Sequence, residues 1–132
     1  APVMQVDADL DEAAPMGVMG AMATAQAGRY EGSVKRESDG ATYLRAIELG
    51  TPGDGSQSIR CYEQVGGALP TTPQSSGTAT VLGPFVIFNT SDSVANRKYL
   101  SVVLKSFMIS TSTSTYHDGR PDVKLAGLLR KV

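Results

Sequence analysis

The sequence predicts an α+β fold, an antiparallel meander sheet followed by two C-terminal helices. Three observations lead there. Runs with period-two alternation, separated by Gly- and Pro-rich turns, fill the middle of the chain. Apolar residues recur at helical spacing between Leu100 and Met108. Strands and helices segregated along one chain, rather than alternating, imply α+β. The 132 residues suit one domain, and with 19% charged residues and no Trp the chain is neither a polyelectrolyte nor an aromatic-rich binding module.

The elements follow in order. Residues 1–28 form an acidic, Met- and Ala-rich arm or short hairpin: they hold four of the five methionines and Asp7, Asp9, Asp11 and Glu12, with no Lys or Arg. The domain proper spans 29–132. In Arg29–Arg36, Tyr30 and Val34 face one way while Arg29, Glu31, Ser33 and Lys35 face the other, the pattern of a half-buried strand. Asp39-Gly40 signals a hairpin into a second strand, Tyr43–Leu49, with Ile47 and Leu49 on a core face. After the breakers of 50–56 comes a short strand at Ile59–Glu63. Residues 65–77 are an exposed Gly/Pro loop long enough to require a function or disorder. Thr78–Phe88 reads as the longest strand, with Pro84 marking a bulge or an unpaired edge.

Thr90-Ser91-Asp92 offers N-cap oxygens for a helix whose stripe is Leu100, Val103, Leu104, Phe107 and Met108. The Ser/Thr tract from Ser110 to Thr115 ends it. Asp118-Gly119-Arg120-Pro121 opens a second, shorter helix, with Pro121 near its first turn and Leu125, Leu128 and Leu129 on its apolar face. Two helices cover little of a sheet, so the stripe is expected to pack on another subunit.

Composition excludes much chemistry. The longest strongly apolar run, Val81–Phe88, is far shorter than the ~20 residues of a membrane span, and no secretory signal pattern opens the sequence. One cysteine, Cys61, and one histidine, His117, leave no disulfide, no Cys/His metal cluster and no nucleophilic triad with histidine to spare. No catalytic residue, cofactor or metal site is assigned, and the chain is not expected to be an enzyme. Residues 29–132 hold all twelve basic residues and nine acids, an excess of three positive charges. That permits an RNA partner without requiring one.

Several co-linear segments resemble the coat proteins of single-stranded RNA bacteriophages, the levivirus type. They are Gly32-Ser33-Val34-Lys35-Arg36 with the following hairpin and Tyr43–Leu49; Gln64-Val65-Gly66-Gly67-Ala68-Leu69-Pro70; Val86–Asp92; Asn96–Leu100 through Leu104–Phe107; and Asp118-Gly119-Arg120-Pro121. The resemblance covers roughly residues 28 to 132. It implies an obligate homodimer with one continuous sheet and helices crossing onto the partner. Such dimers close into an icosahedral shell that packages single-stranded RNA in a virion assembled in the bacterial host cytoplasm, and the family also represses translation by binding a genomic RNA hairpin. The dimer interface would be Leu100, Val103, Leu104, Phe107 and Met108, and the 65–77 loop would surround the symmetry axes. RNA would meet Arg29, Ser33, Lys35, Thr78 and Thr80 on the inner sheet face, with Tyr43 and Arg45 joining if the register of the second strand is shifted by one. The rival class is another phage structural, decoration or adhesive β-rich protein without RNA binding.

Overall fold

A computed structural model describes residues 27–132 as eight strands and no helix. They are β1 (Gly28–Arg36), β2 (Thr42–Leu49), β3 (Ser56–Glu63), β4 (Ser75–Leu82), β5 (Phe85–Ser91), β6 (Ala95–Leu104), β7 (Phe107–Tyr116) and β8 (Val123–Lys131). Each strand pairs antiparallel with the next, and β8 pairs with β1, closing an up-and-down barrel. The expected arm, apart from its last two residues, lies outside the described residues.

The barrel replaces the expected α+β architecture. The first hairpin is as expected, with Val34 opposite Tyr43 and Tyr30 opposite Ile47. The expected single strand Thr78–Phe88 is instead a hairpin: Gly83, at φ 60°, and Pro84 form the turn between β4 and β5. Proline there needs no ladder hydrogen bond, because its lack of an N–H falls in the turn. The expected long helix is the β6–β7 hairpin, turning on Lys105-Ser106. Its stripe splits between two faces: Val103 and Met108 are buried inside, whereas Leu100, Leu104 and Phe107 point out. The expected second helix is β8.

Gly127 makes the closing seam. A Cβ there would sit 2.0 Å from the Ser33 carbonyl oxygen and 2.8 Å from the Val34 Cα, so only glycine lets β8 approach β1 this closely.

The interior is divided along the barrel axis. One half is filled by Tyr30, Val34, Ile47, Leu49, Ile59, Ala79, Val86, Phe88, Val103, Met108 and Leu129, with Phe88 and Tyr99 stacked at 6.1 Å between centroids. Such a packed set supplies the hydrophobic stabilisation a small barrel needs. Towards the other end the inward residues become Arg45, Glu63, Arg97, Ser110, Ser112 and Ser114. There the connections 37–41, 64–74, 92–94 and 117–122 gather, whereas the two-residue turns 83–84 and 105–106 and the 50–55 loop sit at the apolar end.

Candidate functional site

Arg45 is the centre of the polar half. Strand alternation aims it inward two residues before Ile47, and only 1% of its side chain is exposed. It stands opposite Glu63 in the β2–β3 register. Its Nε donates to both carboxylate oxygens of Glu63 at 2.9 and 3.1 Å, Nη1 donates to Ser110 Oγ at 3.1 Å and Nη2 to Ser112 Oγ at 2.7 Å. Tyr99 donates its hydroxyl to Glu63 at 2.8 Å, and its ring lies 5.1 Å from the Arg45 guanidinium carbon. Burial and the adjoining Glu63 push the Tyr99 phenol well above its ordinary range, so it stays a donor at neutral pH. A buried charge is tolerated only when paired and hydrogen-bonded, and this one is both.

Above this network the barrel opens into a cavity of about 230 Å³, lined by Arg36, Tyr43, Arg45, Glu63, Arg97, Tyr99 and Tyr116 among others. Two further arginines at its mouth are held by carboxylates of the rim loops. Arg36 grips Asp39 with two bonds, at 3.0 and 2.8 Å, and lies over the Tyr43 ring. Arg97 Nη1 donates to Asp92 at 2.8 Å. The Asp39 carboxyl is lowered to about 2, first by Arg36 and then by the Ala41 N–H. Asp92 is also lowered to about 2, chiefly by the backbone N–H groups of Ala95 and Val94 and then by Arg97. These contacts fix the arginines as preformed donors around the opening.

The residues expected to bind RNA separate. Arg29, Ser33 and Lys35 share the outer face of β1, but Arg29 is already engaged by Glu31 and Glu48. Thr78 and Thr80 are exposed on β4, three strands further round. Tyr43 and Arg45 face the interior. A closed barrel has an inside and an outside, and no open sheet face on which these seven could converge.

Glu63, Arg97, Tyr99, Ser110 and Ser112 were not among the expected site residues. One signal for them exists in the sequence. Ser110, Ser112 and Ser114 alternate with Thr111, Thr113 and Thr115, a period-two pattern that places three small hydroxyls on one strand face.

No family model matches the chain, and no curated protein does. It is similar to a solved structure described as a redesigned beta barrel, with a TM-score of 0.59 and 14% identity over 84% of this chain and 95% of that one. At this identity the likeness shows the fold alone.

Proposed function

We propose that this chain is a binding barrel that seats a small anionic molecule in its polar mouth. The observation that carries the proposal is the buried Arg45 cluster at the base of an open cavity. Three guanidinium groups (Arg36, Arg45 and Arg97) line that cavity, and Glu63 is the one carboxylate in its lining among the described residues. Asp39 and Asp92, the partners of Arg36 and Arg97, stand on the rim loops, so the donors that remain on the guanidiniums favour an anion that can share them. The size lies below the ~300–1,000 Å³ of drug-sized sites, which favours a compact carboxylate or phosphate monoester with one ring, flanked by Tyr43 and Tyr116. Binding is favoured over catalysis by the state of the two nucleophile candidates. Burial first, and then Glu63, push the Cys61 thiol up to about 12, leaving it a poor nucleophile, and His117 Nε2 is engaged with the Asp92 carbonyl at 2.9 Å.

The shell-forming, RNA-packaging role implied by the coat-protein resemblance depends on helices that cross onto a partner, and the described residues form none. No observation favours it over ligand binding.

The test is thermal unfolding with benzoate, phenyl phosphate or benzylamine. A ligand at 100 times its Kd adds about 2.7 kcal/mol to stability. The two anions should raise Tm and benzylamine should not, and Arg97→Gln should reduce the anion effect. Equal shifts with benzylamine, or none with either anion, refute the proposal.

A further inference from the structure

The outer wall carries an apolar surface that the mouth does not use. Leu82 pairs with Phe85, Phe85 with Val102, Val102 with Ile109 and Ile109 with Leu128, a row crossing five strands. A second row pairs Leu104 with Phe107 and Phe107 with Arg130. Leu82, Phe85, Leu104 and Phe107 border the two tight turns at the barrel's apolar end, with exposures of 59, 44, 49 and 37%. Contiguous exposed apolar surface of this kind marks an interaction site.

The charge carried by these four strands has one sign, and the nearest described acid at their edge is Glu31 of β1, opposite Arg130. On the described outer faces of β5–β8 the ionisable residues are Lys98, Lys124 and Arg130, and the turn between Leu104 and Phe107 presents Lys105. No Asp or Glu points out from these four strands. Lys105 holds φ at 52°, the only positive value at a non-glycine among the described residues, so a cation stands at a turn position that glycine would fill with less strain.

Charge and shape select the occupant. A second copy would set like-charged faces against each other in a self-complementary contact. A peptide strand finds no edge to extend, because the barrel is closed. Spanning a bilayer is excluded because the apolar band does not encircle the barrel: Arg29, Glu31, Lys35, Glu48 and Arg60 point outward from β1–β3. A convex apolar surface edged with cations fits the interface of a bilayer, where apolar side chains enter ~5–10 Å and cations meet acidic headgroups. We propose that the β5–β8 face and its two tight turns dock on a lipid bilayer surface bearing anionic headgroups.

The test is co-sedimentation of the full chain with vesicles of phosphatidylcholine alone or mixed with phosphatidylserine, at low and high salt. Binding should require phosphatidylserine and weaken with salt. Lys105→Glu removes one positive and adds one negative charge, and at ~1 kcal/mol per charge partitioning should fall about 30-fold. Leu104→Asp should abolish binding. Val65→Asp, at an exposed residue of the opposite end, should leave it unchanged, and circular dichroism checks that each variant is folded. The proposal is overturned if the wild type does not pellet with phosphatidylserine vesicles at low salt, or if folded Leu104→Asp or Lys105→Glu binds as the wild type does. A vesicle-free dimer that Leu104→Asp dissociates overturns it too, by giving the face to a second copy.

Discussion

Arg45→Met removes the charge at the base of the mouth while keeping an unbranched chain of similar length. In the folded protein it leaves Glu63 with the Tyr99 hydroxyl in place of two guanidinium contacts, and Ser110 and Ser112 each lose a donor. Breaking a buried ion pair from one side costs ~3–5 kcal/mol. The Glu63 side chain is 20% exposed, so water can reach the orphaned carboxylate, and the lower figure of ~3 kcal/mol is expected. With a urea slope of about 1.5 kcal/mol/M, within the usual range for a small domain, the unfolding midpoint should fall by ~2 M. The double variant Arg45→Met/Glu63→Gln removes the stranded charge as well. It should be more stable than Arg45→Met alone, and a double-mutant cycle by urea unfolding should give a coupling of at least ~1 kcal/mol. A single-variant cost under ~1 kcal/mol, or additivity within ~0.5 kcal/mol, would refute the claim that the two groups hold each other in a poorly solvated site.

Two further perturbations probe closure and rim. Gly127→Ala forces a methyl into the β1–β8 seam, where its Cβ would lie 2.0 Å from the Ser33 carbonyl oxygen; overpacking of this kind costs ~1–3 kcal/mol, and hydrogen exchange should show faster opening of the seam amides than of the β6–β7 ladder, whereas uniform exchange would contradict it. The Asp92 carboxyl lies at about 2 in the folded chain against an ordinary 3.8. Its stabilising contribution is therefore complete above about pH 4 and lost as the pH falls towards 2, and Asp39 acts in the same direction. Urea midpoints of Asp92→Asn should fall less steeply than those of the wild type across that interval, and parallel curves would count against the rim contacts.

The first three strands were legible because each carries a partial alternation and a strong turn signal, Asp39-Gly40 in one case and the breakers of 50–56 in the other. The β6–β7 hairpin was not, for a physical reason. Along β6 both faces are apolar near its end, with Leu100, Val102 and Leu104 outward and Val103 inward, so the period of two disappears. Restarting after a two-residue turn, Phe107 and Met108 then fall at helical spacing from Leu100 and Leu104. The turn residues, Lys105-Ser106, lack the Asn-Gly or Asp-Gly composition that marks such hairpins. The β-branched content of 102–115 favoured strand throughout, and the outward apolar row was the competing signal that masked it.

Arg45 shows how far parity alone can take the site. Placing Ile47 and Leu49 on the core face of their strand places Tyr43 and Arg45 on it too, since all four share one parity. A buried arginine must find acceptors, and the sequence neighbourhood of Arg45 holds only Glu48, which points to the other face. Its partners come from 18, 65 and 67 residues away. Glu63 is the cross-strand neighbour that a β2–β3 hairpin register supplies, and is within reach of sequence reasoning once that register is fixed. Ser110 and Ser112 are not, because they meet Arg45 across the barrel interior only when β8 closes on β1. The polar mouth is therefore a consequence of closure: in an open sheet the same Arg45 would face solvent or a second layer, and its hydroxyl partners on β7 would lie several strands away.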